Sequence, residues 1–176
     1  LNTFHQYSLL EHPDMPIDFK YCNLCAVVQE YFADKYADIE FAGFHIDADI
    51  PEEAMYCMMD RILIIRALDN IVNNSLRYNT KGTTIAIEIK KNGNNIQIRI
   101  GDNGIGISQE NRETLFDCFV KEENEGGSGL GLAITKKIIV AHQGQISLCD
   151  EGTLGMKTLF DILLPMVTEC DLEKPV

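Results

Sequence analysis

The sequence predicts an α/β fold: a two-layer α/β sandwich in which one mixed sheet carries its helices on one face. Three observations predict it. Residues 83–91 (TTIAIEIKK) and 94–102 (NNIQIRIGD) alternate apolar and polar side chains around the turn NGN, a β-hairpin signal. Residues 60–79 repeat apolar side chains at helical spacing behind Asp60, a residue type that caps helix N-termini. Two further apolar segments, 145–151 and 156–165, read as closing strands. Antiparallel hairpins with helices between them bury their apolar faces by stacking the helices on the sheet.

The remaining elements follow in order. Residues 1–12 look like the end of a helix, stopped by Pro13 and Pro16. Residues 17–21 (IDFKY) are a strand candidate, and 22–38 read as an amphipathic helix. Residues 42–50 alternate and read as a strand, with a short apolar strand at 54–59. After the hairpin, 108–119 open on Ser108 as a cap and read as a short helix. Residues 120–129 are polar and glycine-rich, hence a loop, and 130–144 read as a helix ending at Gly144. There is no internal repeat and no sign of a second domain.

Bulk composition narrows the partners. The chain has 176 residues, 45% hydrophobic and 24% charged, enough for one domain with its own core. Its net charge of −12 excludes a basic surface for nucleic acid or anionic lipid. An anionic ligand must then be held locally, by backbone amides, a metal ion and a few Lys or Arg. No apolar run is long enough to span a bilayer. The six cysteines do not form a disulfide framework in a chain this rich in ordinary core residues. Cys22 and Cys25 form one CxxC with no second pair to complete a zinc site, so the thiols read as reduced and the compartment as cytosolic.

The chemistry concentrates on residues 60–79. At about 100° per residue, Ile64, Ile65, Leu68, Ile71, Val72, Ser75 and Leu76 fall on one side, the core stripe. Asn70, Asn73, Asn74, Arg77 and Tyr78 fall on the other. Surface helices favour Glu and Lys, whereas Asn is a poor helix former. Asn70 and Asn74, one turn apart, can point two carbonyl oxygens at one hard cation such as Mg²⁺. Two glycine clusters follow, DNGIGI at 102–107 and GGSGLGL at 126–132. Glycine runs let bare backbone N–H groups close on phosphate. Neither the P-loop pattern nor the dinucleotide fingerprint fits them.

The same residues carry a resemblance. The stretch from Asn70 through Asn74 to Arg77 and Tyr78 resembles the N box of sensor histidine kinases. Asp102-Asn-Gly104-Ile-Gly106 resembles their first glycine box, Leu115-Phe116-Asp-Cys-Phe119 their phenylalanine box, and Gly127-Ser-Gly129-Leu130-Gly131-Leu their second glycine box. The boxes stand in the family's order. The chain is similar throughout to the ATP-binding catalytic domain of this family, within the GHKL (Bergerat-fold) superfamily of DNA gyrase and the large heat-shock chaperones. The resemblance implies ATP and Mg²⁺ as cofactors and assigns roles. Asn74, with Asn70 beside it, holds Mg²⁺ on the phosphates. Asp102 accepts a hydrogen bond from the adenine amino group, Tyr78 packs beside the base, and Gly104 and Gly106 let the chain turn close to it. Arg77 and Lys121 meet phosphate. Gly127, Gly129, Leu130 and Gly131 form the hinge and helix start beneath the phosphates, residues 107–126 a lid, and Thr158 contacts adenine. Lys157 and Ser75 depart from the family pattern, which has glycine and alanine there.

The hydrolytic relatives and the serine kinases of the superfamily resemble one another in placing Glu one turn before the magnesium asparagine; this chain has Asn70. An amide is no general base. A neutral imidazole needs little deprotonation, so Asn70 argues for transfer to histidine, with catalysis by positioning and charge neutralisation through Asn70, Asn74 and Arg77. The acceptor is not evident here: His12 precedes Pro13, and His5 lacks the motif. The expected layout is therefore a remnant of a dimerisation helix or linker at 1–13, the ATP-binding domain at 14–168 and a tail at 169–176. The expected partners are a histidine-bearing dimerisation domain of the same protein and a response regulator, with the full-length protein a membrane-anchored homodimer whose catalytic domain is cytoplasmic. The alternative is a non-catalytic regulatory adenine-nucleotide-binding module, favoured by the acidic lid residues Glu122, Glu123 and Glu125.

Overall fold

A computed structural model describes residues 17–117 and 130–168. The expectations placed on 1–16, 118–129 and 169–176 lie outside the described residues, among them Lys121, Gly127, Gly129, Phe119 and the whole of the 120–129 loop.

The elements run β1 (Lys20–Asn23), α1 (Leu24–Phe41), β2 (His45–Asp49), β3 (Tyr56–Met59), α2 (Arg61–Tyr78), β4 (Thr84–Asn92), β5 (Asn95–Asp102), α3 (Gln109–Thr114), α4 (Gly131–Ala141), β6 (Gln145–Leu148) and β7 (Thr158–Pro165). The main sheet has five strands in the order β2-β4-β5-β7-β6. It is mixed: β2 runs parallel to β4 and the other neighbours are antiparallel.

Register builds the core directly. Ile87, Ile100 and Phe160 lie side by side, as do Ile89, Ile98 and Ile162. All six are buried. They share one hydrophobic cluster with the buried stripes of α1, α2 and α4, so the helices cover one face of the sheet. The opposite face is polar: Glu88, Arg99 and Asp161 are neighbours in register, with Arg99 3.5 Å from Glu88 and 3.6 Å from Asp161.

Local expectations mostly hold. Asp60 caps α2, its Oδ1 accepting from the N–H groups of Ile62 (3.0 Å) and Leu63 (3.2 Å). Ser108 caps α3, where Ser108 Oγ accepts from Asn111 N–H at 3.4 Å. Several bounds differ: α1 runs Leu24–Phe41 rather than 22–38, α3 ends at Thr114 within the expected 108–119, and β6 ends at Leu148 within the expected 145–151. The first strand is Lys20–Asn23 rather than 17–21, because Asn23 is the cap that starts α1. It pairs with β3 in a separate two-stranded sheet beside the main one. Helix α4 stops at Ala141, and the left-handed residue that turns the chain is Gln143 (φ 58°), not Gly144. Gly144 is needed for close approach instead: a Cβ there would lie 2.5 Å from the Leu163 carbonyl oxygen.

Among the described residues, no helix is long and apolar enough to cross a membrane.

Candidate functional site

A cleft opens where the C-terminal half of α2 meets the turn after β5, the start of α4 and the first residue of β7. Asn70, Asn74, Arg77, Tyr78, Asp102, Gly106, Gly131 and Thr158 all line it, so the structure gathers residues that are up to 88 positions apart in sequence (Asn70 to Thr158). Gly104 and Leu130 stand behind the wall. Gly104 donates its N–H to Asp102 Oδ1 at 3.1 Å, and buried Leu130 is the residue from which α4 begins.

Asp102 is the centre of one end. It is the last residue of β5, opposite Ile85 on one side and Thr158 on the other, at the rim of the core face. It is 3% exposed. A buried carboxylate is tolerated only with partners. Ser75 Oγ donates to Asp102 Oδ2 at 2.6 Å, and Gly104 N–H takes the other oxygen. Asn79, the C-cap of α2, bridges helix and loop: its Nδ2 donates to the Ser75 carbonyl (2.9 Å) and its Oδ1 accepts from Ile105 N–H (2.8 Å). Gly104 lies flat against this amide, since a Cβ there would fall 1.8 Å from Asn79 Oδ1, while Gly106 takes a positive φ of 80°.

The other end lies along the middle of α2. The Asn70 Nδ2 donates to the Gly131 carbonyl (2.9 Å) and to Thr135 Oγ1 (3.2 Å), tying α2 to the first turn of α4. That leaves its Oδ1 without a partner among the described residues. Asn74 is half-buried, and its side chain makes no hydrogen bond among the described residues. Helix α4 starts without a side-chain cap, so the N–H groups of its first turn, beginning at Gly131 and Leu132 on the cleft wall, lack a capping side chain. The Arg77 guanidinium lies 5.5 Å from the centroid of the Tyr78 ring at the exposed end of the helix.

The phenylalanine box splits its labour. Leu115 lines the cleft, whereas Phe116 packs edge-on against Phe160 (centroids 6.1 Å apart) and anchors the segment after α3 to the sheet. Lys157 stands beside Gly106 but turns its ammonium to Glu151 at 2.8 Å; the pairing raises the Lys157 pKa and lowers that of Glu151.

Sequence reasoning missed Ser75 and Asn79 as site residues, together with Ile105, Ile107, Asn111, Leu132 and Phe160. A signal existed for Ser75: a hydroxyl inside an otherwise apolar helical stripe must find a buried partner. Ile105 and Leu132 lie within the two glycine clusters and Ile107 and Asn111 within the expected lid, while nothing marked Asn79 or Phe160, whose place depends on which segments pack against the helix end.

Comparison with known proteins gives a consistent picture. Residues 59–168 match the family described as histidine kinase-, DNA gyrase B-, and HSP90-like ATPase. The sensor-like histidine kinase SenX3 of Mycobacterium tuberculosis is 33% identical over 156 residues, covering 85% of this chain and 37% of its own length. The chain thus spans little more than a third of that relative. The structure of the Acinetobacter baumannii histidine kinase AdeS superimposes with a TM-score of 0.74 at 27% identity, covering 94% of this chain and 76% of that one. Full-length ShkA in complex with AMPPNP gives a TM-score of 0.81 at 18% identity, covering 95% of this chain and 35% of that one, a likeness of fold.

Proposed function

Since the chain belongs to the histidine kinase-, DNA gyrase B-, and HSP90-like ATPase family, we propose that it is the ATP-binding catalytic domain of a sensor histidine kinase. It transfers the γ-phosphate of ATP to a histidine on a dimerisation domain of the same protein. One observation carries the reading: a single cleft joins a buried carboxylate acceptor, Asp102, to an asparagine face whose side-chain oxygens have no partner among the described residues and to a helix start without a side-chain cap. The first suits the exocyclic amino group of adenine, where guanine presents a carbonyl. The second suits a polyphosphate with its metal.

The donor set fits Mg²⁺. Among the described residues the Asn74 side-chain amide has no partner, and Asn70 has its nitrogen committed to α4 and no partner on its oxygen, which gives neutral oxygen donors of the type this ion accepts alongside phosphate and water. When bound, Mg²⁺ supplies charge neutralisation on the phosphates. The residues of the chain do the rest. Asp102 and Tyr78 fix the base, the first turn of α4 and Arg77 face the phosphates, and the Asn70 bond to Gly131 holds α2 and α4 at a set spacing. Asn70 cannot accept a proton from water near neutral pH, so the site positions ATP for an acceptor that is already nucleophilic.

The proposed domain spans 14–168, which contains the family match at 59–168. The parent protein is a membrane-anchored homodimer with this domain in the cytoplasm, and its phosphohistidine supplies a response regulator. The test is to mix the chain with its own dimerisation domain and radiolabelled ATP. The expected product is an acid-labile, base-stable label on a histidine of that domain. The chain alone should neither label itself nor hydrolyse ATP quickly. Rapid hydrolysis by the chain alone would place it with the ATPases of the family instead.

A further inference from the structure

Asp102 needs its carboxylate held in one orientation to select a purine, and α2 provides the hold. We propose that Ser75 and Asn79, one turn apart on the end of α2, form a two-point brace that sets the purine selectivity of the cleft, with Ser75 the positioning residue for Asp102. The inference rests on reading the cleft as an adenine-nucleotide site.

The geometry is specific. Ser75 is 4% exposed, and its hydroxyl donates to Asp102 Oδ2 at 2.6 Å, the short distance of a charge-assisted bond. Gly104 N–H binds Oδ1, so both carboxylate oxygens are fixed while each keeps an acceptor site for a ligand. A hydroxyl has one hydrogen, and that of Ser75 is committed to Asp102. Towards the cleft, Ser75 and Asp102 therefore present lone pairs and no donor. An amino group meets two acceptors there, whereas a purine carbonyl meets lone pairs with its own lone pairs. Alanine, the residue this position has in the resembling family, offers neither the bond nor the second acceptor.

Asn79 fixes the other end of the same loop. It holds Ile105 N–H at 2.8 Å and the Ser75 carbonyl at 2.9 Å, and Gly104 packs against its amide. The segment from Asp102 to Ile105 is thus pinned to the last turn of α2 at both ends. Ser75 and Asn79 both reach the cleft wall, so the brace and the ligand share one surface.

The test is calorimetric titration of the wild-type chain and the variants Ser75→Ala, Asn79→Ala, Asp102→Asn and Ser75→Ala/Asp102→Asn with adenosine, Mg²⁺-ATP and GTP. Ser75→Ala should weaken adenosine and Mg²⁺-ATP by the same factor, roughly tenfold, and leave GTP unchanged, so the ATP preference narrows by that factor. In the Asp102→Asn background, Ser75→Ala should add less than about twofold, because its partner is gone. Asn79→Ala should narrow the preference by roughly threefold, in keeping with a neutral hydrogen bond to the loop. Unfolding midpoints measured in parallel separate loss of selectivity from loss of fold, and the small Ser75→Ala change leaves the core packing in place. A wild-type chain that binds GTP as well as ATP overturns the adenine reading and this proposal with it. A selective wild type whose Ser75→Ala variant binds adenosine unchanged, loses ATP and GTP alike, or shows its full effect in the Asp102→Asn background overturns the brace alone.

Discussion

The two ends of the cleft are built on different principles. At the last turn of α2 the polar groups are already paired: Ser75 to Asp102, Gly104 to Asp102, Asn79 to Ile105. On a neighbouring face of the same helix, the Asn74 side chain makes no hydrogen bond among the described residues, and α4 starts without a side-chain cap. A buried carboxylate cannot wait for a ligand, because an unpaired ion at 3% exposure is too costly. A half-exposed amide and a helix start can wait, because water satisfies them at little cost. On the proposed reading, base recognition is therefore a property of the folded domain, and phosphate recognition a property of the complex.

The largest expected effect breaks the phosphate end alone. Asn74→Ala should reduce phosphotransfer by roughly 100-fold or more, the scale of losing one electrostatic contact to developing charge. Adenosine affinity should stay within about twofold, since the base end is separate. Transfer assays beside adenosine titrations check both halves, and a parallel fall in adenosine binding would join ends that the comparison separates.

Asp102→Asn breaks the other end. It should cost ATP roughly ten- to 100-fold in affinity, the range for a hydrogen bond to a charged group, while GTP affinity changes little. Whatever ATP binding remains should keep its Mg²⁺ dependence, because Asn74 is untouched. A variant that lost the Mg²⁺ response would contradict the division.

Gly104→Ala sharpens the comparison by straining the pre-built end without removing a donor. The new Cβ would lie 1.8 Å from Asn79 Oδ1, forcing apart the loop and the helix end. The expected loss of stability is about 1–3 kcal/mol, read as a lower urea midpoint at constant slope. Asn79→Ala should relieve part of that loss by removing the clashing amide. Lys157→Ala should do least. Its ammonium is exposed and paired with Glu151, so ATP affinity should stay within about twofold of the wild type.

The layers of this fold were unequally legible. The hairpin of β4 and β5 was plain because strict alternation leaves one register that buries every isoleucine. Helix α2 was plain because its apolar stripe and Asp60 agreed. The pairing of β1 with β3 was not, since two four-residue segments announce strands without announcing partners. Asp102 and Asn74 could be picked out as cleft residues because each stands in a run of residues whose spacing carries the resemblance. Ser75 and Asn79 could not, because their meaning comes from a loop 27 residues beyond Ser75 that folds back onto the helix end. The C-terminus of α4 shows the same limit: Gly144 marked the turn, but close contact with β7 requires it, while Gln143 takes the left-handed conformation.

The most direct test titrates the unaltered chain with adenosine, ATP and GTP, each with and without Mg²⁺. The account predicts that ATP binds more tightly than GTP, that Mg²⁺ strengthens ATP binding, and that Mg²⁺ leaves adenosine binding unchanged. Equal affinities for ATP and GTP, or a Mg²⁺ effect on adenosine as large as that on ATP, would contradict it.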